Sequence, residues 1–176
     1  IGSACLTPFA VRSVSPRDLG PSLWIGLALG FAFLFQTIGL AHGTATNAGI
    51  ITGLFVVFAP IANRLLFGVR TGWLNGLGIG VSIVGLALLT GLGSAPALAT
   101  DSITLLGAVF FGVHIALLDR YAKRHRPLVL AWGQTSVAAL LFLLASPFFG
   151  AWSWPDPMVW RALLITGILA TAGGFY

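Results

Sequence analysis

Apolar side chains run along this sequence in blocks of transmembrane length, separated by short polar clusters. Neither the two-residue alternation of a half-buried strand nor the narrow stripe of an amphipathic helix describes them. Five blocks are complete or nearly so, at 23–42, 44–66, 73–92, 103–118 and 128–149. A bilayer core about 30 Å thick takes roughly 20 mostly apolar residues per helix, so each block predicts one membrane span. A sixth opens near Met158 and is still apolar at Tyr176, while residues 1–10 read as the tail of an earlier helix. The sequence does not begin with Met, and no basic residue precedes the apolar residues at 1–10 as in a signal peptide, so both ends read as cuts in a longer protein.

The breaks carry turn chemistry. Gly43 is expected as a left-handed residue closing one helix and Thr44 as the N-cap of the next, a tight hairpin. Gly68 and Gly72 bracket the following turn. A longer link runs from Gly93 to Ser102, with Asp101 or Ser102 as the cap of the fourth span. Pro127 opens the fifth, and 153–157 separates it from the sixth. Pro60 and Pro147 are expected to bend their helices by removing a backbone hydrogen bond.

Composition agrees with the blocks. Only 7% of residues are charged, 57% are hydrophobic and the mean hydropathy is +0.99, whereas a soluble domain carries about 25% charged residues. Nine Lys+Arg and four Asp+Glu in 176 residues cannot keep a soluble surface wet. The reading is therefore all-α, a polytopic membrane helix bundle. Cys5 stands alone, so no intrachain disulfide is available.

Charge placement gives orientation. Arg12, Arg17, Arg64, Arg70, Arg120, Lys123, Arg124 and Arg126 fall on alternate connections, and only Arg161 falls on the others. The positive-inside rule puts loops 11–22, 67–72 and 119–127 in the cytoplasm, for a multi-pass protein of a bacterial inner membrane. Trp24, Trp73 and Trp132 then lie near inner ends, and Trp152, Trp154 and Trp160 at the outer link, as interfacial belts. The basic run at 120–126 reads as a topology signal rather than a nucleic-acid patch, and the lipid bilayer is the expected partner.

Polar groups at membrane depth are costly, which makes them candidates for function. Gln36 sits about 5 Å from the middle of its span at about 1.5 Å per residue, where its amide either meets a polar substrate or bonds a neighbouring helix. Thr46 and Asn47 lie at the positive end of the next helix dipole and either contact substrate or cap the helix. Thr52, deeper in, either lines a site or bonds back to its own helix. His114 is the one ionisable side chain well inside a span, a proton relay or a hydrogen-bonded structural group. Gln134, with Ser136, either lines a cavity mouth or faces headgroups.

Gly26 and Gly30 form one GxxxG pair, and Gly72, Gly76 and Gly80 form two overlapping ones. Packing within the monomer is the first reading of both, with a homo-oligomer as the alternative. Several chemistries are missing. No Asp or Glu lies mid-membrane, no His/Cys/carboxylate cluster has metal spacing, and no P-loop or GxSxG elbow occurs. An enzyme is therefore not expected, and no cofactor is.

The run from Gln36-Thr37-Ile38-Gly39-Leu40 through Thr44-Ala45-Thr46-Asn47-Ala48-Gly49 to Phe58-Ala59-Pro60 resembles the third and fourth helices of EamA-type transporters, within the drug/metabolite transporter superfamily. Gly76 to Leu89 resembles the Gly-rich fifth helix, and Gly107 to His114 with Asp119-Arg120 resembles the start of a second repeat. The resemblance implies ten helices in two inverted repeats. Residues 1–92 would be the C-terminal part of the first and 103–176 the N-terminal part of the second. Aligning Gly26 with Gly167 sets Phe35 beside Tyr176 and puts the next position opposite Gln36, where a polar residue is expected. The implied function is a secondary transporter that exports small metabolites or drug-like compounds by alternating access, with a small-molecule substrate bound at Gln36, Thr46, Asn47, Thr52, His114 and Gln134. The alternative is a membrane scaffold or assembly subunit that moves nothing.

Overall fold

Apolar blocks of this length leave a backbone one way to satisfy its polar groups without water, the helix. In the computed structural model, residues 1–69, 72–90, 98–149, 154 and 156–167 are described. They form α1 (Gly2–Ala10), a 3-10 turn (Val11–Ser13), α2 (Pro16–His42), α3 (Ala45–Gly53), α4 (Phe55–Phe67), α5 (Trp73–Thr90), α6 (Leu98–Ala122), α7 (Pro127–Ala145), a second 3-10 turn (Ser146–Phe149) and α8 (Pro157–Ile165). No strand occurs among the described residues. Pro16–His42, Ala45–Phe67, Thr100–Ala122 and Pro127–Phe149 are each long and apolar enough to cross a membrane, and Trp73–Gly85 is a shorter apolar stretch. The fold is an all-α polytopic membrane bundle.

Its packing is that of a protein made to sit in lipid. Small side chains such as Ala10, Ala32, Ala108 and Ala116 are fully buried, while Leu65, Trp73, Leu88 and Phe148 point outward. Lipid tails are as apolar as leucine, so large apolar groups gain little by turning inward, and small ones let helices approach closely.

Several boundaries differ from the sequence expectation. Thr44 does cap α3, its Oγ1 accepting from Asn47 N–H at 3.2 Å. Gly43 is not left-handed; among the described residues only Gly68 has positive φ, at 68°, where it closes α4. The block at 44–66 is two helices, broken at Leu54, whose N–H turns to Ile51 O at 3.1 Å. Gly53 gives that turn no side-chain packing, and the irregularity falls upstream of Pro60, which stays within α4. α6 starts at Leu98, so Asp101 is no cap but an anion inside the first turn, favourable to the helix dipole. α2 extends back to Pro16, held by Ser15 N–H donating to Asp18 Oδ2 at 2.9 Å. Near Pro147 the α7 helix gives way to a 3-10 turn rather than bending. Arg70, the link at 91–97, Trp152, Ser153, Pro155 and residues 168–176, with the repeat alignment they carried, lie outside the described residues.

The chain divides into two compact units. The first comprises Ile1–Gly30 and the stretch from Tyr121 onward. There α1 docks on α7 through a polar seam. Trp132 Nε1–H donates to Thr7 Oγ1 at 2.9 Å, Thr7 in turn donates to Ser3 O at 2.9 Å, and the Ser3 and Ser136 hydroxyls meet at 2.5 Å. The N-terminal part of α2 packs on α7 through Gly26 and Gly30. A Cβ at Gly26 would fall 2.9 Å from the Gln134 carbonyl oxygen, and one at Gly30 3.3 Å from Ala138 Cα. This GxxxG pair packs within the chain.

The second unit is Phe31–Arg120. From Phe31 onward α2 runs antiparallel to α6, with Gly39 against Thr104 and Gly107 against Ala32 and Gln36. α6 in turn meets α4 at Gly112, where a Cβ would lie 2.7 Å from the Phe58 carbonyl carbon. α5 lies on α3 and α4. Its glycine face at Gly76 and Gly80, like Gly72 before it, has nothing within 4 Å of an added Cβ, so the expected packing there is not made by the described residues.

Candidate functional site

Two of the six residues singled out in the sequence come together. Gln36 Nε2–H donates to Thr52 Oγ1 at 2.9 Å. α2 and α3 are joined by a link so short that residues equally far from it face each other. Gln36 is six residues before His42 and Thr52 seven after Ala45, so each lies about 10 Å from the link along its helix. Thr52 uses its side chain across helices rather than back on its own turn. Its hydroxyl hydrogen and the Gln36 amide oxygen remain as one donor and one acceptor for a ligand. Both residues are half-buried.

Within the same unit, Phe33 lies three residues before Gln36 on α2, and Phe55 three residues beyond Thr52 at the start of α4. Phe31 and Phe35 are followed by Gln36 on α2, and each has its ring 5.5 Å from that of Phe110 on α6. Phe33 meets Phe111 edge-on at 5.1 Å, and Phe55 of α4 approaches Phe111 at 6.4 Å. Edge-to-face and offset pairs of this kind hold ring positions more firmly than area alone. The unit thus carries a polar pair and, about one helical turn away along the same segments, a cluster of rings, chemistry suited to a small molecule with both a hydrogen-bonding group and an apolar body.

The other predicted residues stand elsewhere. Thr46 and Asn47 occupy the first turn of α3 and are exposed; Asn47 enters the cap through its backbone, not its amide. His114 is buried on α6. Gln134 belongs to the first unit, on α7. It is 3% exposed, so it faces no headgroup, and its Oε1 is buried with no hydrogen-bond partner among the described residues. An unsatisfied buried acceptor costs about 1–3 kcal/mol, which makes Gln134 a strained polar point rather than a neutral packing residue. Ser136, two residues on, points to α1 instead.

Sequence reading missed the pairs that join distant segments. Asp18 Oδ1 accepts from His125 Nδ1 at 2.6 Å, across 107 residues of sequence. The carboxylate fixes the proton on Nδ1. Thr7 with Trp132 was equally invisible. The available signal was that Asp18 is one of two acids, with Asp119, among the basic residues of its interface.

With helical spans, small-residue helix contacts and a polar pair at membrane depth, the chain falls in the class of polytopic membrane proteins. It matches the EamA-like transporter family over residues 1–91, and it belongs to that family. It is also similar to a protein of Archaeoglobus fulgidus named "Uncharacterized transporter", with 34% identity over 145 residues. That match covers 82% of this chain and 45% of the relative, so the chain spans less than half the relative's length. No solved structure matches.

Proposed function

We propose that the protein is a secondary transporter that exports small polar or amphipathic metabolites, or drug-like compounds, by alternating access. The observation that carries this reading is the Gln36–Thr52 pair, with the Phe33, Phe55 and Phe111 ring cluster about one helical turn away. A substrate's polar group exchanges with the hydrogen bond between the two side chains, and its apolar part lies on the rings. With no net charge at the pair, the site favours neutral or zwitterionic molecules. Membership of the EamA-like family supports transport, and the resemblance to its repeats supports ten helices in two inverted halves. Thr46, Asn47 and His114 in the second unit are further candidate substrate contacts, and so, separately in the first unit, is Gln134, whose Oε1 has no partner among the described residues.

The test is flux through the whole protein in proteoliposomes against a panel of labelled amino acids, metabolites and hydrophobic drugs. Transport of at least one class, reduced roughly tenfold or more by Gln36→Leu, is expected when a buried hydrogen bond to substrate is lost. No flux for any class would favour the scaffold reading.

A further inference from the structure

The basic residues that sequence reading treats only as orientation signals are gathered by the fold into a pocket. In the first unit, Arg12 from the segment joining α1 to α2 and Arg17 from the first turn of α2 line it together with Arg124 and Arg126 from the segment leading into α7. The remaining charged or titratable groups in its wall are Asp18 and His125, and its volume is about 420 Å³. All four arginines are exposed to whatever enters.

Asp18 is the only carboxylate in the wall, and both its oxygens are already engaged. Oδ2 accepts from Ser15 N–H at 2.9 Å and Oδ1 from His125 Nδ1 at 2.6 Å. It holds the two segments in register and cannot at the same time satisfy four guanidinium groups. The wall therefore carries a net positive charge on groups whose planar forks match phosphate oxygens two at a time. α7 adds the positive end of its dipole: Arg126 is its N-cap and makes no side-chain capping bond, and Pro127 follows. Both segments lie just ahead of apolar blocks, which begin at 23 and 128, so the pocket opens at the depth where lipid phosphates lie.

We propose that this pocket binds a phosphate-bearing anion, presented by the headgroup of an anionic phospholipid. The site is separate from the Gln36–Thr52 pair and does not depend on the transport reading. A lipid held there ties the start of α2 to the start of α7 and makes the stability of the protein depend on the anionic lipid content of its membrane.

The experiment uses the whole protein, purified in a neutral detergent, with thermal unfolding followed on addition of dioctanoyl phosphatidylglycerol, dioctanoyl phosphatidylcholine or inorganic phosphate. Near-saturating phosphatidylglycerol is expected to raise Tm by on the order of 5 °C, and phosphatidylcholine to leave it unchanged. The Arg12→Gln/Arg124→Gln/Arg126→Gln variant should lose the shift, and the corresponding lysine variant should keep much of it. A full shift with inorganic phosphate alone supports the same anion chemistry and assigns its source to a soluble phosphate. An equal shift with phosphatidylcholine, no shift with either phosphatidylglycerol or phosphate, or an unchanged shift in the glutamine variant overturns the proposal. If the glutamine variant does not elute as one species, salt decides. A wild-type shift that survives about 1 M salt, where screening acts within about 3 Å, contradicts an arginine–phosphate contact.

Discussion

Gln36 and Thr52 face each other across the α2–α3 hairpin, the amide nitrogen donating to the hydroxyl oxygen over 2.9 Å. The pairing follows from two local features, the short link after His42 and the Thr44 cap that starts α3 at once. A longer link would let the helices slide and separate the two side chains.

Coupling between these two residues is therefore expected in stability as well as transport. In a double-mutant cycle of Gln36→Leu and Thr52→Val, the interaction should be about 0.6 kcal/mol and no more than about 1.7, the range for interhelical hydrogen bonds in membranes. Thermal or denaturant unfolding of the whole protein measures it. Strict additivity would mean the two side chains do not bond.

Glycine substitutions should separate the two kinds of glycine face. Gly112→Ala forces a methyl onto the backbone of Phe58 and Ala59, which cannot rotate away, and should destabilise by about 1–3 kcal/mol. Gly76→Ala meets none of the described residues within 4 Å and should be neutral or slightly stabilising, since Ala is the better helix former. A large loss at Gly76 would show that its face is covered by another helix of the whole protein or by a second copy.

Removing Asp18 should loosen the junction of α2 and α7. Asp18→Ala leaves Ser15 N–H and His125 Nδ1 without their acceptor, at a cost of about 1–3 kcal/mol. His125→Ala added to Asp18→Ala should cost little more, because the shared bond is already gone. Fully additive losses in unfolding experiments would contradict the pairing.

Orientation is testable by labelling. In a Cys5→Ser background, single cysteines at Arg17 and Arg124, both exposed, should be shielded from impermeant thiol reagents in sealed bacterial cells, and one at Trp154, 89% exposed, should react. His125 is a poor reporter, since it is paired to Asp18. Reaction of the first two in sealed cells would invert the topology.

The helices were legible in the sequence because lipid imposes a length and a hydropathy that few residues can disguise. The Thr44 cap, the Gly68 closure and the Pro127 start were readable for the same local reason, as each depends on neighbours within four residues. The break at Leu54 was not, since it lies inside one block of transmembrane length where Thr52-Gly53 reads as ordinary helix interior. Gln36 and Thr52 could each be nominated by depth, but a hydrogen bond depends on helix rotation, which hydropathy does not encode. For Gln134 the sequence left a cavity mouth and the headgroups open, and its burial was not legible, because it follows from α1 and α2 both packing on α7, through Thr7 with Trp132 and through Gly26. The arginine pocket was hidden by sequence distance alone.

The most direct test of the account is the aqueous accessibility of position 52. In the whole protein, with Cys5→Ser, a Thr52→Cys side chain that lines a substrate path meets water at membrane depth. It should react with a charged, membrane-impermeant methanethiosulfonate reagent, while a Leu140→Cys control near the middle of the 128–149 block, 55% exposed, should react only with a lipid-soluble maleimide. Reaction at position 52 with the charged reagent, and loss of flux on modification, is the result expected. If Thr52→Cys reacts only with the lipid-soluble reagent, or with neither, the Gln36–Thr52 pair is a helix–helix contact and not a substrate site.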